Sequence, residues 1–422
     1  MGQKAAREFP SFYQTLQRLD SVLARLNPPP SFTLEGFIIN HADATAINEP
    51  EISQPLCTAI QIALVDLFDE WNINPSVNAG HSSGEIGAAY AAGLISAPEA
   101  ILAAYCRGHA VKAHSSKGSM LAVGLAADEA EKYMLSYTPD QLCIACENSP
   151  SSVTLSGLPE PISEIKKLFD SAGIFARELR TGRAYHSPHM ASVGSVYEQL
   201  LANALHLLDE DDLSWCRPRS YMISSVNGEV FGPSTPAPLA SYWTVNLRSR
   251  VRFNTAVHYL CMNPLFKNVK CLVEIGPHSA LSGPFKQICV ANKFDQHRYI
   301  PSMVRNKNDA NQLLAVAGTL FIANYPVNLE AVNTVKNKPD FNFRKPKSYR
   351  LLVDLPPYQW NYEKRYWAEP RASAEQRALT HPRHDLLGSK VSGLSSGARV
   401  WRNVLRDRDI PWLKDHTVSF IL

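Results

Sequence analysis

A serine flanked by closely spaced glycines is the strongest chemical signal in the sequence. The residues from Gly80 to Glu85 read Gly-His-Ser-Ser-Gly-Glu, which places Ser82 at the centre of a G-x-S-x-G pattern. In this pattern the serine occupies a sharp turn between a strand and a helix. The glycines leave room for a substrate carbonyl above Ser82, and the Ser83 amide at the helix start faces that carbonyl. The pattern therefore predicts a serine nucleophile, with a small-residue turn that performs no chemistry as the alternative.

A histidine that could serve as the base lies about a hundred residues later. Residues 184–190 read Ala-Tyr-His-Ser-Pro-His-Met. Ser187 predicts an N-cap and Pro188 the first residue of a helix, so His186 falls in the loop just before that helix. We predict an exposed imidazole there, free of packing, which is a suitable position for a general base. An arbitrary histidine among the 13 of this chain is most often a surface residue.

The third candidate is an arginine on a predicted helix. Ser96 to Glu99 reads Ser-Ala-Pro-Glu, a capping box that starts a helix continuing to roughly His114. Arg107 lies on this helix. A lone helical arginine is usually a solvated charge, which is the interpretation that the local sequence favours. A guanidinium can also bind a carboxylate through two parallel hydrogen bonds.

The elements around these residues predict an α/β protein. Before Ser82, an apolar stripe at helical spacing predicts a helix, and a short extended segment follows at 75–79; the stripe is Leu56, Ile60, Leu64, Leu67 and Trp71. After Ser82, an alanine-rich helix runs to Gly93. The order βαββαβ over about 118–179 predicts a ferredoxin-like insert, and such a lobe on an α/β core forms a cleft. We therefore predict a hydrolase-like parallel-sheet core with an inserted ferredoxin-like subdomain.

Composition excludes several classes of protein. The 422 residues are enough for two or three domains, and 42 basic against 39 acidic residues give no indication of nucleic-acid or membrane binding. The sequence has neither a membrane-length apolar run nor a signal peptide, and eight scattered cysteines fit a reducing compartment, so we expect a cytoplasmic protein. Cys143 and Cys146 form a lone C-x-x-C, which favours a buried strand over a zinc site.

The Gly-His-Ser-Ser-Gly-Glu string resembles the nucleophile motif of the malonyl-CoA:acyl carrier protein transacylase family. The acyltransferase domains of fungal-type reducing polyketide synthases match best, from the first residues to Trp367. The resemblance implies that Ser82 forms a seryl ester and that His186 is the base. The reaction would load a malonyl extender unit from malonyl-CoA onto the phosphopantetheine thiol of an acyl carrier protein. No metal or redox cofactor is implied, and other polyketide synthase domains would be further partners.

The resemblance also implies roles for several other residues. Arg107 would bind the malonyl carboxylate, with His81 and Ser83 beside it in the substrate site. Asn148 matches a polar position lining the cleft, although a turn asparagine before Pro150 is an equal alternative.

Two further positions bear on the base and on substrate choice. The main-chain carbonyl of Ser249 would orient His186. Tyr185 would disfavour an α-methyl branch, which favours malonyl over methylmalonyl.

The resemblance divides the chain into five parts: 1–117, the first part of the acyltransferase core; 118–180, the ferredoxin-like insert; 181–332, the second part of the core; 333–370, a post-acyltransferase linker; and 371–422, the start of a dehydratase hotdog domain. His416 matches the catalytic histidine of dehydratases.

Family members begin with a strand ending in Gly-Gln-Gly, which supplies half of the oxyanion hole, so we expect this chain to be truncated at both ends. A serine hydrolase such as a thioesterase, and an inactive synthase fragment, remain as alternatives.

Overall fold

The computed structural model describes residues 1–40, 46–114, 116–294, 296–333, 353–394 and 398–416. The chain folds into two compact units, Met1–Tyr349 and Arg350–Leu422. Half of the linker predicted at 333–370 falls on 334–352, outside the described residues. Within the part of the chain that is described, no helix is long and apolar enough to cross a membrane.

The helices of the larger unit are α1 (Gln3–Glu8), α2 (Pro10–Leu23), α3 (Leu34–Asn40), α4 (Pro50–Glu70), α5 (Gly84–Ala91), α6 (Ala97–His114), α7 (Ala127–Tyr133), α8 (Pro159–Ser171), α9 (Ala191–Leu205), α10 (Glu210–Ser214), α11 (Ala240–Arg248), α12 (Phe253–Met262), α13 (Ser282–Asn292), α14 (Asp309–Ile322) and α15 (Leu329–Asn333). Its strands are β1 (Val77–Ala79), β2 (Ser119–Val123), β3 (Leu142–Ser149), β4 (Ser152–Gly157), β5 (Ala176–Leu179), β6 (Tyr221–Ile223), β7 (Val230–Phe231), β8 (Cys271–Glu274) and β9 (Arg298–Pro301). The smaller unit contains α16 (Arg371–Arg377), β10 (Ser389–Lys390) and β11 (Trp401–Arg402).

Parallel strand pairs surrounded by helices form the core of the larger unit. Strand β1 pairs in parallel with β6, and β8 pairs in parallel with β9. Strand β7 returns antiparallel to β6 through a hairpin in which Gly228 has a φ of 79°. Parallel pairs of this kind, covered by helices, confirm the predicted α/β class.

The helical layer forms because α4 has the predicted apolar stripe. All five stripe residues are buried, from Leu56 to Trp71. Helix α4 packs against both α2 and α6, and these helices share one hydrophobic core. The predicted capping box opens α6: the Ser96 amide donates to Glu99 Oε2 at 2.6 Å, and the Glu99 amide donates to Ser96 Oγ at 3.3 Å.

A second sheet lies between α6 and α9 in the chain and has a core of its own. Its strands follow the order β3-β4-β2-β5 and are all antiparallel. With α7 and α8 they follow the predicted order βαββαβ. Buried side chains on both strands and helices hold them together, among them Leu121, Ile144, Leu155, Ile165 and Phe169. Cys143 and Cys146 lie on β3, where Cys146 is buried.

The predicted helix cap at Ser187 is wrong. Ser187 does not cap a helix with its side chain, because its hydroxyl donates to the Ala184 carbonyl at 2.6 Å. The chain instead forms a 3₁₀ turn at Pro188–Met190, and α9 begins after it. Strand β8 is half-buried.

Candidate active site

Ser82 lies at the turn between β1 and α5, where the backbone is strained. Its φ is 56°, in the left-handed region that residues other than glycine seldom adopt. The turn is tight because a Cβ on Gly80 would come within 2.3 Å of the Glu85 nitrogen, so only glycine fits there. Ser83 is the N-cap of α5. Its amide therefore belongs to the helix N-terminus, whose N–H groups lack intrahelical acceptors and favour negative charge.

His186 lies beside Ser82 and is held from its other side. Ser82 Oγ is 2.6 Å from His186 Nε2, and His186 Nδ1 is 2.9 Å from the carbonyl oxygen of Ser249. A carbonyl oxygen only accepts hydrogen bonds, so Nδ1 carries a proton. In the neutral ring Nε2 then has a free lone pair directed at the serine hydroxyl. The arrangement is that of a serine–histidine pair in which a main-chain carbonyl replaces the carboxylate of a triad.

The predicted exposure of His186 is wrong, because the imidazole is only 3% exposed. The residue has a φ of 57°, and its amide donates to the Leu247 carbonyl at 3.2 Å. These contacts turn the ring inward. Burial, together with the nearby Arg107 cation and His81, lowers the pKa of His186 to about 3. The imidazole is therefore neutral at neutral pH.

This burial predicts an unusual pH dependence. We expect the rate of Ser82 acylation to stay constant from about pH 8 to about pH 5, because the folded-state pKa of His186 lies well below its ordinary 6.5. A base with an unperturbed pKa would be mostly protonated at pH 5, and its rate would fall roughly 30-fold. The measurement is rapid-quench labelling by malonyl-CoA across this range, with Ser82→Ala as the blank. A fall centred near pH 6.5 would contradict the prediction.

Backbone pairing between the core and the insert holds the Ser249 carbonyl, which accepts the hydrogen bond from His186 Nδ1. The Val251 amide donates to the Ala145 carbonyl, and the Glu147 amide donates to the Val251 carbonyl, both at 2.8 Å. Arg250 adds ion pairs to Glu147 at 2.9 Å and to Glu131 at 3.1 Å. The segment that follows α11 thus extends the edge of the insert sheet at β3, which holds the preceding Ser249 carbonyl in place.

Arg107 is buried rather than solvated, so the interpretation that the local sequence favoured is wrong. Its side chain is only 1% exposed, and its Nη1 donates to Asn246 Oδ1 at 2.6 Å. Its Nε is also buried and has no hydrogen-bond partner within the described part of the chain. A guanidinium keeps its charge in proteins. A buried cation with an open donor is suited to bind an anion.

A buried carboxylate next to the turn was not predicted to have a role. Glu85 is 0% exposed, and its Oε1 accepts from both the amide and the hydroxyl of Ser225. Its Oε2 accepts from Tyr242 OH at 2.8 Å and from Asn246 Nδ2 at 2.9 Å. Burial raises the pKa of Glu85, and these hydrogen bonds lower it. The i, i+4 spacing of Tyr242 and Asn246 is the sequence signal that could have indicated one polar face on α11.

The other residues predicted to contact the substrate lie in two places, one between the serine turn and β3 and the other next to His186. His81 Nε2 is 2.8 Å from Asn148 Oδ1, so this pair joins the serine turn to strand β3. Asn148 also donates to Thr154 Oγ1 at 3.0 Å, which fixes its amide on the sheet. Tyr185, adjacent to His186, accepts at its hydroxyl from Gln54 Nε2 at 3.3 Å.

His416 lies in the smaller unit and is described there by itself. It follows the 3₁₀ turn Pro411–Asp415, and its ring packs edge-on against Trp412 with centroids 5.5 Å apart. Across the described residues of both units, no three His, Cys, Asp or Glu side chains cluster as metal ligands would.

Comparison with known proteins identifies the family to which this fold and site belong. Residues 1–326 match the acyl transferase domain family. A reducing polyketide synthase of Alternaria brassicicola is 46% identical over 420 residues, which cover 99% of this chain and 18% of the relative. A highly reducing polyketide synthase of Pyricularia oryzae is 42% identical over 441 residues, covering 99% of this chain and 17% of the relative. The chain therefore belongs to the acyl transferase domain family, in the form found in highly reducing polyketide synthases of fungi.

Solved structures share the fold. The acyltransferase domain from module 8 of the salinomycin polyketide synthase is similar with a TM-score of 0.65 at 25% identity, covering 76% of this chain and 71% of that one. A loading acyltransferase from the avermectin polyketide synthase has a TM-score of 0.66 at 23% identity, covering 76% of this chain and 95% of that one. The chain spans less than a fifth of the length of the two synthases named above.

Proposed function

We propose that this domain transfers a malonyl group from malonyl-CoA to the phosphopantetheine thiol of an acyl carrier protein through an ester on Ser82. One observation carries the proposal. Asn246 hydrogen-bonds both to Arg107 and to the backbone carbonyl of Ser82. Arg107 is buried and its Nε has no partner in the described part of the chain, while the Ser82 hydroxyl contacts the buried, neutral His186. Ser82 and His186 provide the nucleophilic chemistry, and Arg107 would favour a thioester that bears a carboxylate.

The first half-reaction forms the seryl ester. His186 Nε2 takes the proton of Ser82 as Oγ bonds to the thioester carbonyl carbon, and the Ser83 amide donates to the oxyanion. The tetrahedral intermediate collapses when its C–S bond breaks. The proton passes from His186 to the departing thiolate, so free CoA leaves and the imidazole is neutral again.

The second half-reaction reverses these roles. The carrier-protein thiol gives its proton to His186 and its sulfur attacks the ester carbonyl. The C–O bond then breaks, and Ser82 recovers the proton from His186. No net proton is exchanged with the solvent, which is compatible with a base as buried as this one.

The malonyl carboxylate would pair with Arg107 through its open Nε. Desolvating a carboxylate costs several kcal/mol unless it meets a charged partner, so a buried guanidinium favours malonyl over acetyl. The bulk of Tyr185, held by Gln54, leaves less space for an α-methyl branch. We therefore propose malonyl-CoA rather than methylmalonyl-CoA as the preferred donor.

A loading and chase experiment tests this function. The protein is loaded with radiolabelled malonyl-CoA, freed of excess label, and mixed with phosphopantetheinylated carrier protein. Movement of the label to the carrier protein supports acyl transfer. Release as free malonate, at the same rate with and without the carrier, would instead identify a hydrolase of the thioesterase type, and the absence of loading would identify an inactive fragment.

The residues after 326 lie outside the family match but inside the alignment with the reducing synthases, which covers 99% of the chain. We propose that 333–370 is the linker that follows the acyltransferase and that 371–422 is the start of a dehydratase domain, with His416 at the position of its catalytic histidine. The other synthase domains would be the partners of this chain.

A further inference from the structure

The side chain of Asn246 makes three hydrogen bonds that connect the reactive groups of the site. Its Oδ1 accepts from Arg107 Nη1 at 2.6 Å. Its Nδ2 donates to Glu85 Oε2 at 2.9 Å and to the Ser82 carbonyl oxygen at 3.2 Å. The orientation of this amide has only one solution, because a guanidinium only donates while a carboxylate and a carbonyl only accept.

This arrangement places one amide between two groups of opposite charge. Arg107 and Glu85 are both buried; burial lowers the pKa of Arg107, and the negative charge of Glu85 is among the effects that raise it. A guanidinium and a carboxylate in a medium of low dielectric constant attract strongly and favour a direct two-bond contact. Here the amide of Asn246 stands between them and hydrogen-bonds to both.

Glu85 and Arg107 differ in how fully their other polar atoms are hydrogen-bonded. The remaining acceptor positions of Glu85 are filled by the backbone and hydroxyl of Ser225 and by the Tyr242 hydroxyl. Arg107, in contrast, keeps a buried Nε with no partner in the described part of the chain. The carboxylate is therefore satisfied internally, while the guanidinium is not.

We infer that Asn246 is a positioning residue that keeps Arg107 from pairing with Glu85 and so reserves the guanidinium for the carboxylate of the incoming acyl group. This inference rests on the proposed malonyl transfer. Because the same amide also binds the Ser82 carbonyl, it fixes the arginine relative to the nucleophile. Selection of the carboxylate and alignment of the reacting carbonyl then depend on one side chain.

The test compares malonyl-CoA with acetyl-CoA as acyl donors. In Asn246→Ala the two charges can pair directly, so we expect the malonyl-to-acetyl ratio of kcat/KM to fall on the order of 10-fold to 100-fold. The loss should appear mainly as a higher KM for malonyl-CoA. A general disturbance of the serine turn through its lost bond to Asn246 would slow both donors alike and would cancel in the ratio.

A second substitution distinguishes charge separation from structural support. Adding Glu85→Gln to Asn246→Ala removes the competing negative charge, so we expect the ratio to recover by most of what it lost. If Asn246 only supported the fold, the double variant would be no better than the single one. Asn246→Leu keeps the branched shape and the number of side-chain heavy atoms, and it replaces the alanine variant if the cavity unfolds the protein. Asn311→Ala, at an exposed site on α14, is the matched control and should keep the wild-type ratio.

The outcomes separate this inference from the function on which it rests. If wild-type protein is not loaded by malonyl-CoA, the proposed function fails. If Arg107→Ala keeps the wild-type ratio, Arg107 does not bind the carboxylate, and the role of Asn246 fails with it. If both of those behave as expected but the Asn246 variants keep the wild-type ratio, or Glu85→Gln gives no recovery, the role of Asn246 is wrong and the function stands.

Discussion

Replacing Ser82 with alanine is expected to abolish covalent labelling by radiolabelled malonyl-CoA, while Ser83→Ala is still labelled. Ser82 has the hydroxyl that lies 2.6 Å from His186 Nε2 and a strained backbone that directs it there. Loss of a catalytic serine costs roughly 10⁶-fold in kcat in a well-studied serine enzyme, so the remaining label should be at background. Alanine at position 83 keeps the backbone amide proposed to bind the oxyanion.

The measurement is the stoichiometry of label followed by mapping of the labelled peptide. Melting temperatures of both variants control for folding. Label on Ser83 in the wild-type chain, or label that persists in Ser82→Ala, would refute the assignment of the nucleophile.

Replacing Arg107 with alanine is expected to reduce malonyl transfer by about 10² to 10³-fold and to change acetyl transfer little. Removing one partner of a buried charge pair leaves the other desolvated without compensation, which accounts for this magnitude. Acetyl-CoA has no carboxylate and loses nothing. Arg107→Lys should restore part of the malonyl rate, because a point charge cannot make the paired planar contact.

A competition among malonyl-, methylmalonyl- and acetyl-CoA gives the ratios directly. Arg7→Ala, an exposed arginine on α1, is the matched control and should leave all three unchanged. If Arg107→Ala keeps the malonyl-to-acetyl ratio of the wild type, the carboxylate site lies elsewhere in the cleft.

Local sequence patterns were sufficient for the elements that carry the site. The G-x-S-x-G turn, the apolar stripe of α4 and the capping box at Ser96 each depend on residues a few positions apart. Backbone sterics, helix periodicity and end-capping act over the same short distances. For this reason the strand, turn and helix around Ser82, and the order of elements in the insert, could be predicted from sequence.

Burial of the functional groups could not be predicted in this way. His186 was expected to be exposed, and the local sequence alone favoured a solvated Arg107, but both residues are buried. Their partners lie far away in the chain: Ser82 and His186 are 104 residues apart, and Arg107 and Asn246 are 139 residues apart. The cost of burying a charge or an imidazole is determined by such partners, which no local pattern specifies.

The sequence by itself therefore determined which residues could react and which elements would present them. Only the tertiary structure decided their electrostatic state. His186 is neutral because the fold buries it, and Glu85 is satisfied by Ser225, Tyr242 and Asn246. Arg107 is bound by Asn246 at Nη1, while its Nε has no partner among the described residues. Desolvation and hydrogen bonding depend on the three-dimensional surroundings of a group, and these exist only once the chain has folded.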